Sequence, residues 1–330
     1  MNLRAIGWLA WASLACLSLA CGGNGPMSPP PSADLDGDGL ADLDEEAILR
    51  QYRPVWDFDA TETLFPISLE EWAALGERVM AASGTGSAPY SDPASLLTAV
   101  QAFPDGFMVT ADDPYPGLPP CGSGAQCNDA PVFVDAIPVG FTLEGRGNLV
   151  WLHYWLLYQY DLKLALPGSQ QRPQHFGDWE HVCVLASLDD LADPDAPPVG
   201  LHFHAHGDLT VSDDASTWHA DGVGAFHPRV YVEASGHASY RDPGETLLGP
   251  HFGGRIDPDG LSHPLVFLQP HATNRSDPID EIARGFHGRW GQTTGETGES
   301  PIGPLDFNDP CDHDYDRSPG LSDWIPACSQ

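Results

Sequence analysis

The sequence predicts a mainly β fold, a β-sandwich with long Pro/Gly-rich loops and a few short helices. Three observations carry this expectation. The chain holds 35 glycines and 32 prolines, which favour short strands joined by turns over long helices. Its strongest patterned segment, Asn148 to Asp161 (NLVWLHYWLLYQYD), is apolar on both faces and rich in aromatics, as a strand covered on both sides must be. Further strand candidates follow at turn-bounded intervals: Trp179 to Ser187, Val199 to His206, Arg229 to Ala234 and Leu265 to Gln269. Hydrophobic residues make up 42% of the 330 and include 10 Trp, enough material for a packed core.

Charge narrows the partners. The chain has 47 Asp or Glu against 14 Lys or Arg, a formal net charge of -33 at pH 7. Nucleic acid is excluded as a main partner, because so few cations cannot neutralise a run of phosphates, and polybasic docking on anionic lipid fails for the same reason. Divalent cations are the natural counter-ions.

Residues 1–20 read as a signal peptide: Arg4, an apolar stretch from Ala5 to Ala20, and small residues before a cysteine. The stretch is shorter than the roughly 20 residues a spanning helix needs. Leu17-Ser18-Leu19-Ala20-Cys21 resembles a bacterial lipoprotein processing site, which implies lipidation of Cys21 and a place on the bacterial outer membrane or cell surface. Ordinary cleavage at the same place, giving a periplasmic or secreted protein, is the alternative. Residues 21–33, rich in Pro, Ser and Gly, form a tether behind that cysteine.

Residues 34–52 hold an EF-hand-like calcium loop and a short helix. Asp34, Asp36, Asp38, Asp42 and Glu45 place side-chain oxygens at the first, third, fifth, ninth and twelfth loop positions. Gly39 sits where the backbone turns, and Leu40 offers its carbonyl. The competing reading is an acidic solvated linker. No helix can enter through PPPSA, so the loop is solitary, with an exiting helix from Glu45 to Tyr52 stopped by Pro54. Residues 53–330 are read as one elaborated domain, with an amphipathic helix over Ile67 to Ala82 and an irregular stretch over 83–130. In an oxidising compartment Cys121 with Cys127 and Cys311 with Cys328 are expected disulfides, zinc being the rival, and Cys183 a buried free thiol.

The most informative stretch is Gln174-His175-Phe176-Gly177-Asp178-Trp179-Glu180-His181. On a strand, Asp178 and Glu180 share a face, about 7 Å apart, close enough for both carboxylates to reach one hard cation. His175 on the preceding turn completes that side, while Trp179 and His181 point the other way. The alternative is a buried acidic pair satisfied by backbone donors or by Arg172, Arg229, Arg241 or Arg289.

The succession LHYWLLYQYD, HFGDWEHV, HPRVYVEASGHASY and GFHGRWG, opened by RQYRPVWDFDATETLFPISLEEW, resembles the family related to vacuolar protein sorting protein sixty-two. More remotely, YWLLYQYD followed by HxxDWE is similar to the necrosis-inducing NLP toxins, β-sandwiches in which an Asp and the His, Asp and Glu of a heptapeptide surround a divalent ion used in docking to membrane sphingolipids. Carried over, that resemblance implies Asp161, His175, Asp178 and Glu180 as ligands of a second ion, Ca2+ or Mg2+ before Zn2+. Gln174 and Phe176 stand where the heptapeptide has Gly and Arg.

His202, His204 and His206 align on one strand face as an array able to bind zinc, copper or iron, or else as histidines bonded to carbonyls. His206 and His237 are the candidate general bases if a bound ion activates water. There is no GxSxG, no Walker loop and no GxGxxG opening a helix. The expectation is an exported, lipid-anchored, divalent-ion-dependent protein that binds a glycan or lipid headgroup. The alternatives are a metal-dependent phosphodiester or ester hydrolase, and a structural envelope protein with architectural calcium. The sequence sets no oligomeric state.

Overall fold

A computed structural model describes residues 33–59, 62, 64–110, 130–139, 146–161, 175–193, 195–205, 208–212, 218–220, 226–234, 236–242, 255–256, 264–269, 271, 278–291 and 304. The expected signal peptide, Cys21, the expected tether up to residue 32, Cys121, Cys127, His206, Cys311 and Cys328 lie outside these residues.

The chain is mainly β. A six-stranded sheet has the order β14 (Leu265–Phe267), β5 (Val132–Pro138), β6 (Leu149–Asp161), β7 (His175–Ser187), β8 (Gly200–Ala205) and β9 (Asp208–Ser212). A second sheet runs β10 (Trp218–Ala220), β11 (Phe226–Val232), β1 (Val55–Phe58) and β13 (Arg255–Ile256), with β12 (Ser239–Tyr240) also on β11. The expected long aromatic strand is β6, and the four other expected strands appear as β7, β8, β11 and β14, trimmed or extended at their ends.

The two sheets enclose one core. Trp56 and Phe58 of β1 and Val230 and Val232 of β11 meet Val150, Leu152, Tyr154 and Leu156 of β6. Helix α1 (Asp42–Gln51) enters the same core through Ile48 and Leu49, and the Tyr154 hydroxyl donates to the Leu49 carbonyl at 2.8 Å. Thus the segment following the calcium-loop motif belongs to the sandwich packing. The helix begins at Asp42 rather than Glu45, and ends before Pro54 as expected.

The opposite face of the six-stranded sheet carries a second core, roofed by α2 (Leu69–Leu75), α3 (Pro93–Ala102), α4 (Pro278–Gly285) and a small sheet of β3 (Ser87–Pro89), β2 (Gly76–Met80) and β4 (Phe107–Thr110). Two expectations are corrected here. The helix read over Ile67 to Ala82 ends at Leu75. A capping box between Ser68 and Glu71 starts it at Leu69. At Gly76 the backbone then extends against Tyr90, where a Cβ would fall 1.5 Å from the ring, and Val79 is buried as part of a strand. The stretch 83–130 is not irregular throughout, because it contains β3, α3 and β4. Asp92 caps α3 by accepting from the N–H groups of Ala94 and Ser95, and Pro93 pre-sets the first turn.

Candidate functional site

The centre forms where β6 ends and β7 begins. Asp161, the last residue of β6, lies opposite His175, the first of β7, and Asp178 lies opposite Tyr158. One ligand atom from each of Asp161, His175 and Asp178 falls within 4.8 Å of the others, and His175 Nε2 stands 3.4 Å from Asp161 Oδ2.

Gly177 is what brings His175 to Asp178. In a regular strand, residues three apart face opposite sides. At Gly177 φ is +64°, and the chain reverses its faces: Phe176 joins Trp179 in the second core, leaving His175 on the side of Asp178. A side chain there is excluded twice over, by this left-handed backbone and by the Trp290 carbonyl oxygen, 1.6 Å from where a Cβ would sit. Trp290 is wedged against Trp179, with ring centroids 5.0 Å apart, and against Trp72 at 6.4 Å. The GFHGRWG segment is therefore the buttress behind the HFGDWE segment. Trp179 points away from the centre, as the alternation predicted.

Glu180 projects from the face of Asp178, opposite Leu156, and is half-buried. It stands outside the close group of three, so the expected four-residue ligand set is assembled only in part by direct proximity.

His237 approaches from the second sheet. It follows β11 with φ +52°, is fully buried, and its Nδ1 lies 2.8 Å from Asp178 Oδ2. Its ring lies flat on Tyr158, 3.9 Å between centroids and 5° between planes. Its Nε2 faces Glu62 Oε2 at 3.7 Å. Burial works against the charged imidazole, but Glu62, the bond to Asp178, and the charges of Asp178 and Asp161 together raise its pKa above the ordinary value. Burial, then Glu62, Glu180 and Asp178, push the Tyr158 hydroxyl well above its usual range. That hydroxyl is buried and finds no hydrogen-bond partner among the described residues. Two carboxylates and an imidazole, with a third carboxylate at Glu62 beyond His237, form a donor set suited to a divalent cation.

Glu62 and Tyr158 were missed by the sequence reading. Tyr158 had a signal, its place in register with Asp178 once the two strands are paired. Glu62 had none, because only tertiary folding brings it to His237.

Of the HxHxH array, His202 lies away from this centre. His202 pairs with Cys183 and packs on Trp151, 4.4 Å between ring centroids, on the sheet face opposite Asp178. Burial, then His153, push its pKa down to about 3, so it is neutral. The side chain of His204 and all of His206 lie outside the described residues. Cys183 is buried and in no disulfide, as expected.

The second acidic group is the loop of Asp34, Asp36 and Asp38, whose ligand atoms also lie within 4.8 Å of one another. Asp34 accepts from the N–H groups of Gly37 and Gly39 at 2.8 and 3.2 Å, with Gly37 at φ +79° and Gly39 at φ +96°. Asp38 accepts from the Leu40 N–H at 2.7 Å. Asp42, at the first turn of α1, turns its carboxylate to the Leu35 N–H at 3.0 Å. Glu45 is buried. Among the described residues no helix is long and apolar enough to cross a membrane.

No family model matches the chain, and no curated protein matches it. The vacuolar sorting resemblance therefore has no support from those comparisons. A solved structure titled "Toxin fold for microbial attack and plant defense" is similar at 17% identity over 72% of this chain and 76% of that one, with a TM-score of 0.33. The similarity is a weak one of fold.

Proposed function

We propose that the chain is an exported, lipid-anchored binding protein that holds a divalent ion at Asp161, His175 and Asp178 and uses it to bind a glycan or lipid headgroup. One observation carries the reading: two carboxylates and an imidazole converge within 4.8 Å at the end of a strand pair, with Glu62 and His237 behind them. Ca2+ or Mg2+ suits the oxygen-rich set better than Zn2+. Glu180, on the same face, is placed to accept from a water on the ion. A calcium ion in the loop from Asp34 to Glu45 has a structural role, and Cys21 carries the lipid at the outer membrane or cell surface.

The hydrolase alternative needs a base that can reach a substrate proton. His237 is fully buried, with one nitrogen on Asp178 and the other towards Glu62, which suits holding a ligand carboxylate in place better than abstracting a proton.

Metal analysis of the purified chain, paired with glycan-array and glycolipid-vesicle binding, tests the proposal. Asp178→Ala should lose one equivalent of ion and the binding together, and chelator should abolish binding in the unaltered chain. Binding that survives both treatments would refute it. Ion loss that lowers the melting temperature and changes no binding would favour the structural alternative.

A further inference from the structure

We propose that Glu62 is a positioning residue of the ion centre, holding His237 against Asp178 and through it setting how tightly the ion binds. The role rests on Asp161, His175 and Asp178 being ion ligands and goes beyond that reading, because Glu62 stands outside their group and comes from the connection between β1 and α2.

That connection is fastened at both ends. At its start the Asp59 N–H donates to the Val232 carbonyl, the last of β11, at 3.1 Å, and the Glu62 N–H donates to the Asp59 carbonyl at 3.0 Å. At its finish Pro66 bridges Tyr158, and the Ile67 N–H donates to the Leu157 carbonyl at 2.8 Å. Strand β5 pairs with β6 no further than Trp155, so Pro66 and Ile67 take up the edge of β6 that β5 leaves open beside the centre. The connection thus runs from the second sheet to the six-stranded one, with Glu62 between its two anchors.

The carboxylate is aimed. Glu62 Oε1 accepts from the Leu64 N–H at 2.6 Å, and Oε2 faces His237 Nε2 at 3.7 Å, with the Glu62 side chain 1% exposed and that of His237 wholly buried. A role confined to bracing Leu64 accounts for Oε1 and leaves Oε2 unexplained. Among the described residues Nε2 makes no hydrogen bond, so the facing carboxylate is the polar group that compensates its burial. On the other side of the ring, Nδ1 is 2.8 Å from Asp178 Oδ2. The turn that carries the ring is itself tied, the His237 N–H donating to the Glu233 carbonyl at 3.1 Å. Stacking on Tyr158 fixes the plane of the imidazole but not its place within that plane, and a carboxylate at each nitrogen fixes the place. A ligand carboxylate gripped from outside in this way presents its lone pairs to an ion in one orientation.

The test is calorimetric titration with Ca2+ and with Mg2+, together with thermal melts of the ion-free protein, on the full chain carrying Asp34→Ala so that the 34–45 loop lacks its first ligand. Glu62→Gln keeps the shape and the acceptor for Leu64 while allowing an amide nitrogen to face His237. It should weaken ion binding about 10- to 100-fold and leave the ion-free melting temperature unchanged. His237→Asn, a residue tolerated at the left-handed φ of +52°, should weaken the ion similarly, and adding Glu62→Gln to it should bring no further loss. Unchanged ion affinity in Glu62→Gln would overturn the proposal. So would an equal further loss from Glu62→Gln in the His237→Asn chain, or a fall in ion-free stability that matches the loss of affinity, the mark of a residue that only anchors the connection. Asp178→Ala separates the two readings: if it removes no ion, the centre has failed and the role of Glu62 falls with it, whereas if it removes the ion and Glu62→Gln keeps it, the role of Glu62 alone has failed.

Discussion

Replacing Gly177 with Ala tests the claim that one backbone conformation assembles the centre. Two costs add. An L-residue at φ +64° is strained by about 1–2 kcal/mol. The new Cβ would stand 1.6 Å from the Trp290 carbonyl oxygen. A backbone atom cannot swing aside as a side-chain tip can, so the two chains must part, loosening the Trp72, Trp179 and Trp290 cluster at about 1–3 kcal/mol. The sum, about 2–5 kcal/mol, corresponds to a melting-temperature drop of roughly 4–20 °C. Circular dichroism melts measure this, with Gly147→Ala as control, because Gly147 has nothing within 4 Å of its would-be Cβ. Ion affinity should fall as well, since His175 is turned from Asp178. If Gly177→Ala melts within about 2 °C of the parent and keeps its ion, the face-reversal argument is wrong.

Other outcomes follow from the packing. His202 is neutral in the fold, with a pKa near 3 against an ordinary 6.5, so the unfolded chain binds the extra proton between those values. The stability it contributes is present above pH 6.5 and is lost as pH falls towards 3. Urea unfolding of His202→Phe should show a drop between pH 7 and pH 4 smaller than the parent's by about 3 kcal/mol; parallel curves would refute this. Arg229 holds the buried Asp57 at 2.6 Å, and Arg229→Leu should cost about 3 kcal/mol by denaturant melts, partly recovered in the double variant with Asp57→Asn. Asp92→Ala removes the acceptor for two N–H groups at the start of α3 and should cost about 1 kcal/mol, read in the same way.

The long central strands were legible because burial on both faces leaves an unbroken apolar run, as in β6 and β7. Strand β5 carries the same kind of signal in VFVDAI yet was not read as a strand, because the polar Asp135 interrupts its apolar run. Strands β3 and β4, of three and four residues, take their form from pairing with β2, which short-range patterns do not encode. In the site, Asp178 and Glu180 were placed on one face by alternation alone. The joining of His175 to Asp178 accompanies a face reversal in both strands, at Gly177 and between Tyr158 and Tyr160, and the motif letter G does not state it. His237 was noted in sequence, but its bond to Asp178 spans 59 positions and needed both sheets in place.

Strand β1 is threaded between β11, which it meets in parallel, and β13. Asp57 and its partner Arg229 are 172 positions apart. The first strand to emerge from a ribosome must therefore wait for most of the chain before either of its edges is filled. Completion of the second sheet is consequently late in synthesis, and Val55 to Phe58 remain without their strand partners until then.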